Sequence, residues 1–252
     1  MNLFLFAHQD DEYGIFPVLE QLVARGEPLA VAYLTSGTPD GRISAQRNAE
    51  SVRVLTHLGL TPEQIHFPGA ELNLPDGQLY QHLQQACVGV LHLLEGGTPP
   101  TRIFTPAWEG GHQDHDATHI VACYLAQKFS CLEASRQFPL YHGQGLPGIL
   151  WHTFLPLTQN GPAESMRIFW RQRWRYLGYC LTYHSQWLSW LGLYPPYAVN
   201  LLTKGRQYLQ PLNLDRLRAA PHAGRLLYQR REFCSQEQFV FHTATLIDRI
   251  TR

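Results

Sequence analysis

The first half of this chain alternates short, unbroken apolar runs with stretches whose apolar residues recur at helical spacing. That alternation restricts the fold more than any other feature. Asn2 to Ala7 is short and rich in Phe and Leu, the pattern of a strand buried on both faces. From Ile15 to Arg25 the residues Ile15, Val18, Leu19, Leu22 and Val23 share one helix face, and Gly26 supplies a stop. The same reasoning predicts strands at Leu29–Leu34, Gln64–Phe67 and Arg102–Thr105. It predicts helices from an N-cap at Ser44 to Gly59, over Leu79–Leu94, and from Asp116 to about Lys128. The expected fold is α/β: a Rossmann-like, mainly parallel sheet flanked by helices. In such sheets ligands bind at the carboxyl ends of the strands.

Two acid-histidine clusters fall at such ends. Ala7-His8-Gln9-Asp10-Asp11-Glu12 follows the first strand, and Gly111-His112-Gln113-Asp114-His115 follows the strand at 102–105. Imidazole and carboxylate are ligands that borderline metals such as zinc favour. Amide hydrolysis at such a centre needs about three protein ligands, a carboxylate base for the water and a donor for the oxyanion. The two clusters contain every one of these groups. An Asp-Asp-Glu run can equally cap a helix, and His112 and His115 can do the same, but both motifs together favour a metal site. His119, four residues beyond His115, has zinc-pair spacing yet is expected to be structural.

Beyond about Phe138 Trp, Tyr, Pro and Arg become frequent. A strand is expected at Ile149–Phe154, a helix from Ser165 to about Tyr183, and a terminal helix over Ser235–Ile250. Within the second of these, Phe169–Tyr176 is expected to bury its aromatic residues and turn Arg171, Arg173 and Arg175 outward. With no linker or repeat, residues 1–252 are expected to form one domain. It would comprise a metal-binding core at 1–135 and a C-terminal part at 136–252 that shapes the substrate pocket.

Lys+Arg and Asp+Glu balance at 20 each, which gives no electrostatic case for nucleic acid or an anionic membrane. Five cysteines without CxxC spacing argue against a disulfide framework and point to a reducing cytoplasm. The first apolar run lacks a basic lead and meets His8 at once, so it is not expected to be a signal peptide. No run approaches the roughly 18 apolar residues of a membrane span. No GxGxxG follows the first strand, which leaves nucleotide binding without support.

The two clusters resemble the motifs of the PIG-L/LmbE-like family of zinc-dependent N-acetylglucosamine deacetylases, an AHPDDE-type loop after an N-terminal strand and a later HxDH opening a helix. Weaker resemblances lie at Leu34-Thr35-Ser36-Gly37, at Arg47-Asn48-Ala49-Glu50 before Leu58-Gly59, and at His184-Ser185-Gln186. The likeness is good over 1–125 and patchy beyond. It implies His8, Asp11 and His115 as ligands of zinc or ferrous iron. It further implies Asp10 as general base, His112 as oxyanion donor or acid, and Asp114 as a carboxylate orienting an imidazole. By analogy Arg47 contacts substrate, and Trp108, just before the second cluster, could stack on a sugar. Gln9 stands where the family has proline, and Tyr13-Gly14-Ile15-Phe16-Pro17 departs from its glycine-rich helix start. The implied activity is removal of the N-acetyl group from an amino sugar or glycoconjugate. The rivals are a zinc amidase acting on a thiol conjugate or antibiotic, and a non-catalytic glycan-binding protein. The implied partner is a small amino-sugar substrate.

Overall fold

The computed structural model describes residues 1–251. The first half builds β1 (Asn2–Phe6), α1 (Phe16–Ala24), β2 (Leu29–Tyr33), α2 (Ser44–His57) and β3 (Ile65–His66). Then come α3 (Pro68–Glu71), α4 (Leu83–Leu93), β4 (Arg102–Pro106), α5 (Gln113–Lys128) and β5 (Arg136–Phe138). The rest adds β6 (Tyr141–His142), β7 (His152–Thr153), β8 (Glu164–Arg167), α6 (Trp170–Cys180), α7 (Trp187–Thr203), β9 (Arg206–Pro211), α8 (Leu227–Arg230) and α9 (Gln236–Ile250).

One seven-stranded sheet runs in the order β3-β2-β1-β4-β5-β9-β8. The pairings from β3 to β5 are all parallel, and β9 and β8 join antiparallel at the β5 edge. The mainly parallel, helix-flanked architecture is the one the strand–helix alternation predicts. Because side chains alternate along a strand, β1 feeds two cores. Leu3 and Leu5 pack toward α4, α5 and α9, while Phe4 and Phe6 pack toward α1, α6 and α7. Each such side chain, once fully buried, stabilises by about 1.5–3 kcal/mol. A strand that is apolar on both faces is thereby driven to the middle of the sheet. The chain leaves β1 toward β2 on one side and returns on the other through β4, so the order reverses between β1 and β4. A crevice opens outside the carboxyl ends of strands at such a reversal, and both clusters border it.

The C-terminal part departs most from the sequence reading. The strand expected at Ile149–Phe154 is only β7, paired with β6 in a separate two-stranded ribbon. The helix expected from Ser165 is split, because Glu164–Arg167 pairs with β9 and only Trp170 onward is helical. Ladder pairing overrides local propensity there. Along Phe169–Tyr176 the expectation holds in part: Arg171 and Arg175 face outward and Tyr176 is buried, but Phe169, Trp170 and Trp174 are exposed and Arg173 is buried. The Arg173 guanidinium donates to the carbonyls of Ile168 and Leu202 and lies 4.4 Å from the Trp170 ring centroid. Among the elements the sequence reading did not foresee, α7 and β9 are the longest. Pro195 and Pro196 inside α7 disguise that helix, and β9 is too polar to stand out. No described helix is long and apolar enough to cross a membrane.

Candidate active site

After β1 the chain turns sharply, and its acids hold the turn. Asp11 Oδ2 accepts the backbone N–H groups of Ala7 at 3.0 Å and His8 at 2.8 Å, which leaves Oδ1 facing His115 Nε2 at 3.0 Å. The same Oδ2 lies 3.6 Å from His8 Nδ1. Buried Glu12 accepts the Asp10 N–H at 3.0 Å and the Tyr183 hydroxyl at 2.7 Å. Asp10 itself sits at φ 129°, a conformation that costs a non-glycine residue about 1–3 kcal/mol and that gathers at functional sites. Gln9, in place of the family's proline, ties its amide to Asn48 Oδ1 at 2.7 Å. Gly37, at φ +75°, makes room for that side chain, because a Cβ there would collide with Gln9 Oε1.

The second cluster enters on a helix. His112, not Asp116, marks the start of α5: it is the N-cap, and its Nδ1 accepts the Asp114 N–H at 3.2 Å. That bond fixes the neutral tautomer with its proton on Nε2. Asp114 is buried under the opposite wall. Its Oδ1 accepts the N–H of Leu79 at 3.0 Å, and its Oδ2 takes that of Gly77 and approaches His8 Nε2 at 3.1 Å. Gly111 admits this loop beneath β6, since a Cβ would collide with the Tyr141 carbonyl oxygen.

These groups share a cavity of about 310 Å³ that His8, Asp10, Asp11, Arg47, His112 and His115 help to line. Donor atoms of His8, His112 and His115 lie within 4.8 Å of one another, and those of His8, Asp76 and Asp114 form a second such set. Asp11 completes the first group through its contacts with both His8 and His115. Imidazole nitrogens and carboxylate oxygens crowded this closely, with Arg47 as the neighbouring cation, suit a borderline divalent metal. The carboxylate of Asp114 behind one imidazole matches the way ligating histidines are oriented.

The electrostatics follow from burial. Loss of water pushes the Asp10 carboxyl up to about 8 even though the Arg47 guanidinium opposes it. Burial, with His8 and His115 adding to it, holds His112 well below the usual histidine range. For His8, burial works the other way from Asp76 and Asp11, and the two carboxylates prevail, raising it.

Arg47 lies in the cavity wall but is largely consumed by protein partners. It donates to the carbonyls of Gly37 and Gln9 and stands 3.4 Å from Asp10 Oδ1 and 3.5 Å from Asp76 Oδ2. Trp108 requires a correction. Its indole is buried, donates to Ala219 O at 3.1 Å and packs near Phe239 and His119, bordering a different cavity. It therefore cannot stack on a sugar at this site. His119 is buried with Nδ1 at 3.0 Å from Pro106 O, a structural position. Sequence reasoning missed Asp76, 3.1 Å from His8 Nε2, because Pro75-Asp76-Gly77 signals only a turn. It also missed Tyr141, Trp151, Arg231 and Phe233, which line the cavity from the C-terminal part. Of the His184-Ser185-Gln186 segment, Ser185 is tied to Glu50 of α2, and Gln186 faces the cavity.

No curated protein matches the chain in sequence. Among solved structures it is similar to a zinc-inhibited form of the teicoplanin deacetylase Orf2, with TM-score 0.61, 15% identity, and coverage of 84% of this chain and 98% of that one. It is also similar to the N,N'-diacetylchitobiose deacetylase of Pyrococcus horikoshii, with TM-score 0.58, 18% identity and coverage of 84% and 82%. A third likeness is to the conserved protein TT1542 of Thermus thermophilus, with TM-score 0.53, 21% identity and coverage of 83% and 92%. At these identities the likeness shows the fold. The family model described as PIG-L, GlcNAc-PI de-N-acetylase, matches residues 3–125, the stretch holding both clusters. Over that stretch, just under half of its length, this chain resembles the PIG-L family.

Proposed function

We propose that the chain is a metal-dependent hydrolase that removes the N-acetyl group from an N-acetylglucosamine-type amino sugar or glycoconjugate. The observation that carries this reading is the convergence of His8, Asp10, Asp11, His112 and His115 in one cavity within the family-matching stretch. Zinc or ferrous iron held by His8, Asp11 and His115 would supply Lewis acidity to the reacting groups. Asp10 accepts the proton of the attacking water. Arg47 keeps that carboxylate in place. His112, its Nδ1 occupied by the Asp114 N–H, presents Nε2–H to the oxyanion forming on the acetyl oxygen. The C–N bond then breaks, the nitrogen takes up the proton, and acetate and a free amine leave. Asp114 holds the His8 ring from behind. The five cysteines are free and buried, which supports a cytoplasmic setting.

Acetate release and metal content, measured together, test the reading. The panel comprises N-acetylglucosamine, diacetylchitobiose, an N-acylated glycopeptide antibiotic and an N-acetylglucosaminyl thiol conjugate. Metal-dependent acetate release from the sugars is expected. Metal binding without release from any arm would leave a glycan-binding protein instead.

A further inference from the structure

The cavity offers a bound amide little apolar surface at its depth. Of the residues that line it, the buried ones are carboxylates, histidines and Arg47, together with Tyr13 and Tyr141. The methyl is the one apolar part of a reacting acetamide, and packing it on a ring removes it from water. Tyr13 is the ring placed next to the chemistry by the chain itself. It follows Glu12 directly, and its N–H donates to Asp10 O at 3.0 Å. It also opens the Tyr13–Pro17 segment, where this chain departs from the family's motif.

The fold gives this ring no room to move aside. Phe154, Trp190 and Tyr197 surround it, with ring centroids 5.5, 5.2 and 5.3 Å away. Trp190 and Tyr197 both come from α7. Phe154 is held in turn by its N–H, which donates to Leu140 O at 3.0 Å. Tyr13 is 4% exposed, and its hydroxyl has no hydrogen-bond partner among the described residues. The side chain therefore keeps its place by packing rather than by a polar tether. On its other side lies a second, far smaller cavity of about 10 Å³, lined mostly by apolar residues that include Pro17, Phe154, Tyr176, Tyr197 and Leu201. Tyr13 lines both cavities and so forms their shared wall. Phe233, 53% exposed, marks the open side of the larger one. The sugar takes that side, which leaves the acyl group the closed side beside Tyr13.

We infer that Tyr13 sets acyl selectivity: its ring packs on the methyl of a bound acetyl group and shuts longer acyl chains out of the small cavity behind it. The preferred substrate then carries acetyl on its amino nitrogen, and propionyl and longer chains are excluded. This rests on the deacetylase reading above. The physical basis is packing: a ring clamped by three others yields little to an added methylene, because interiors are close-packed and overfilling them strains them. The carboxylates of the site offer a longer chain no alternative, since an apolar tail lying on them would strip their water.

The test measures kcat/KM on N-acetyl-, N-propionyl- and N-butyrylglucosamine with the metal-loaded protein, and affinity for each by titration calorimetry. Wild type is expected to favour acetyl over butyryl by about tenfold or more, the scale on which a pocket discriminates a methylene. Tyr13→Leu should bring that ratio to near one or below, with metal content unchanged. Tyr13→Phe breaks no hydrogen bond and keeps the ring, so its ratio should match that of wild type. Phe154→Leu loosens the clamp around an intact Tyr13 and should relax the ratio in part. Equal use of acetyl and butyryl by wild type overturns the inference. So does a ratio unchanged in Tyr13→Leu, or in Phe154→Leu where Tyr13→Leu does not fold. A ratio that falls as far in Tyr13→Phe as in Tyr13→Leu also overturns it, since the hydroxyl rather than the ring would then select. Absence of turnover on all three sugars strikes the deacetylase reading instead, and the calorimetric ratio still decides the role of Tyr13.

Discussion

The two loops that build the cavity reach the same accuracy by opposite means. The loop after β1 has no long helix to lean on. Its own carboxylates fold it: Asp11 and Glu12 accept backbone N–H groups within the turn, and Asp10 is left in a strained conformation. The loop after β4 instead delivers its groups from the first turn of the sixteen-residue α5, with His112 as the cap and the rest of the turn buried. In the first loop chemistry and architecture share the same atoms, whereas in the second a rigid element supplies the architecture. Substitutions in the first should therefore disturb geometry and chemistry together, and those in the second should separate them more cleanly.

The largest expected effects test the division of roles across the loops. Asp10→Ala should retain metal and lose kcat by about 10²–10⁴-fold, the usual worth of a general base. His115→Ala should lose activity to a similar degree and lose metal as well, as elemental analysis of the purified protein would show. Full activity in the first variant, or full metal occupancy in the second, would break the assignment. A His112→Ala protein that loses metal as completely as His115→Ala would move His112 into the ligand set, a rearrangement its proximity to His8 and His115 permits.

The next effect probes support rather than contact. Asp114 approaches His8 Nε2 while two backbone N–H groups hold it in place. Asp114→Ala should weaken metal affinity by about 10–100-fold, in line with the loss of a carboxylate that orients a ligating imidazole. Competition with a chelator measures it. An unchanged affinity would mean that Asp76, equally close to His8, holds the ring on its own.

What could be read from the sequence follows from locality. Each cluster is contained in a few consecutive residues beside a continuous apolar strand, so motif and position appear together in the text. The strands β1, β2 and β4 announce themselves because both faces are buried. Asp76 and Arg231 are isolated in sequence and gain meaning only when packing brings the Pro75–Gly77 turn under His8 and α8 against the Gly110 loop. Trp108 shows the converse error. It lies four residues before His112, yet its ring turns to the other side, against Phe239 of α9. Nearness along the chain fixes neither the direction of a side chain nor its neighbours. The C-terminal elements were obscured for a related reason: β9 is held by ladder pairing and α7 contains two prolines, so neither follows a clean periodic pattern.

The smallest effect lies in the buried scaffold of the second loop and concerns stability. Glu109 is fully buried, and its Oε1 accepts the N–H groups of Leu140 and Tyr141, both at 2.8 Å, joining the loop before His112 to the approach to β6. Burial pushes its carboxyl up to about 8, although those two hydrogen bonds pull it down. An unfolded chain releases this proton above about 4.3, whereas the folded chain retains it. Folded-state stability from this group is therefore fully present at low pH and is lost as pH rises from about 4.3 toward 8, with a limiting slope of about 1.4 kcal/mol per pH unit. Glutamine keeps the accepting oxygen and removes the titration. The denaturation midpoint of Glu109→Gln relative to wild type should therefore improve steadily between pH 5 and 8, with metal content unchanged. A difference between the two proteins that stays constant across that range would show that Glu109 is already ionised in the fold, with a further partner for its charge.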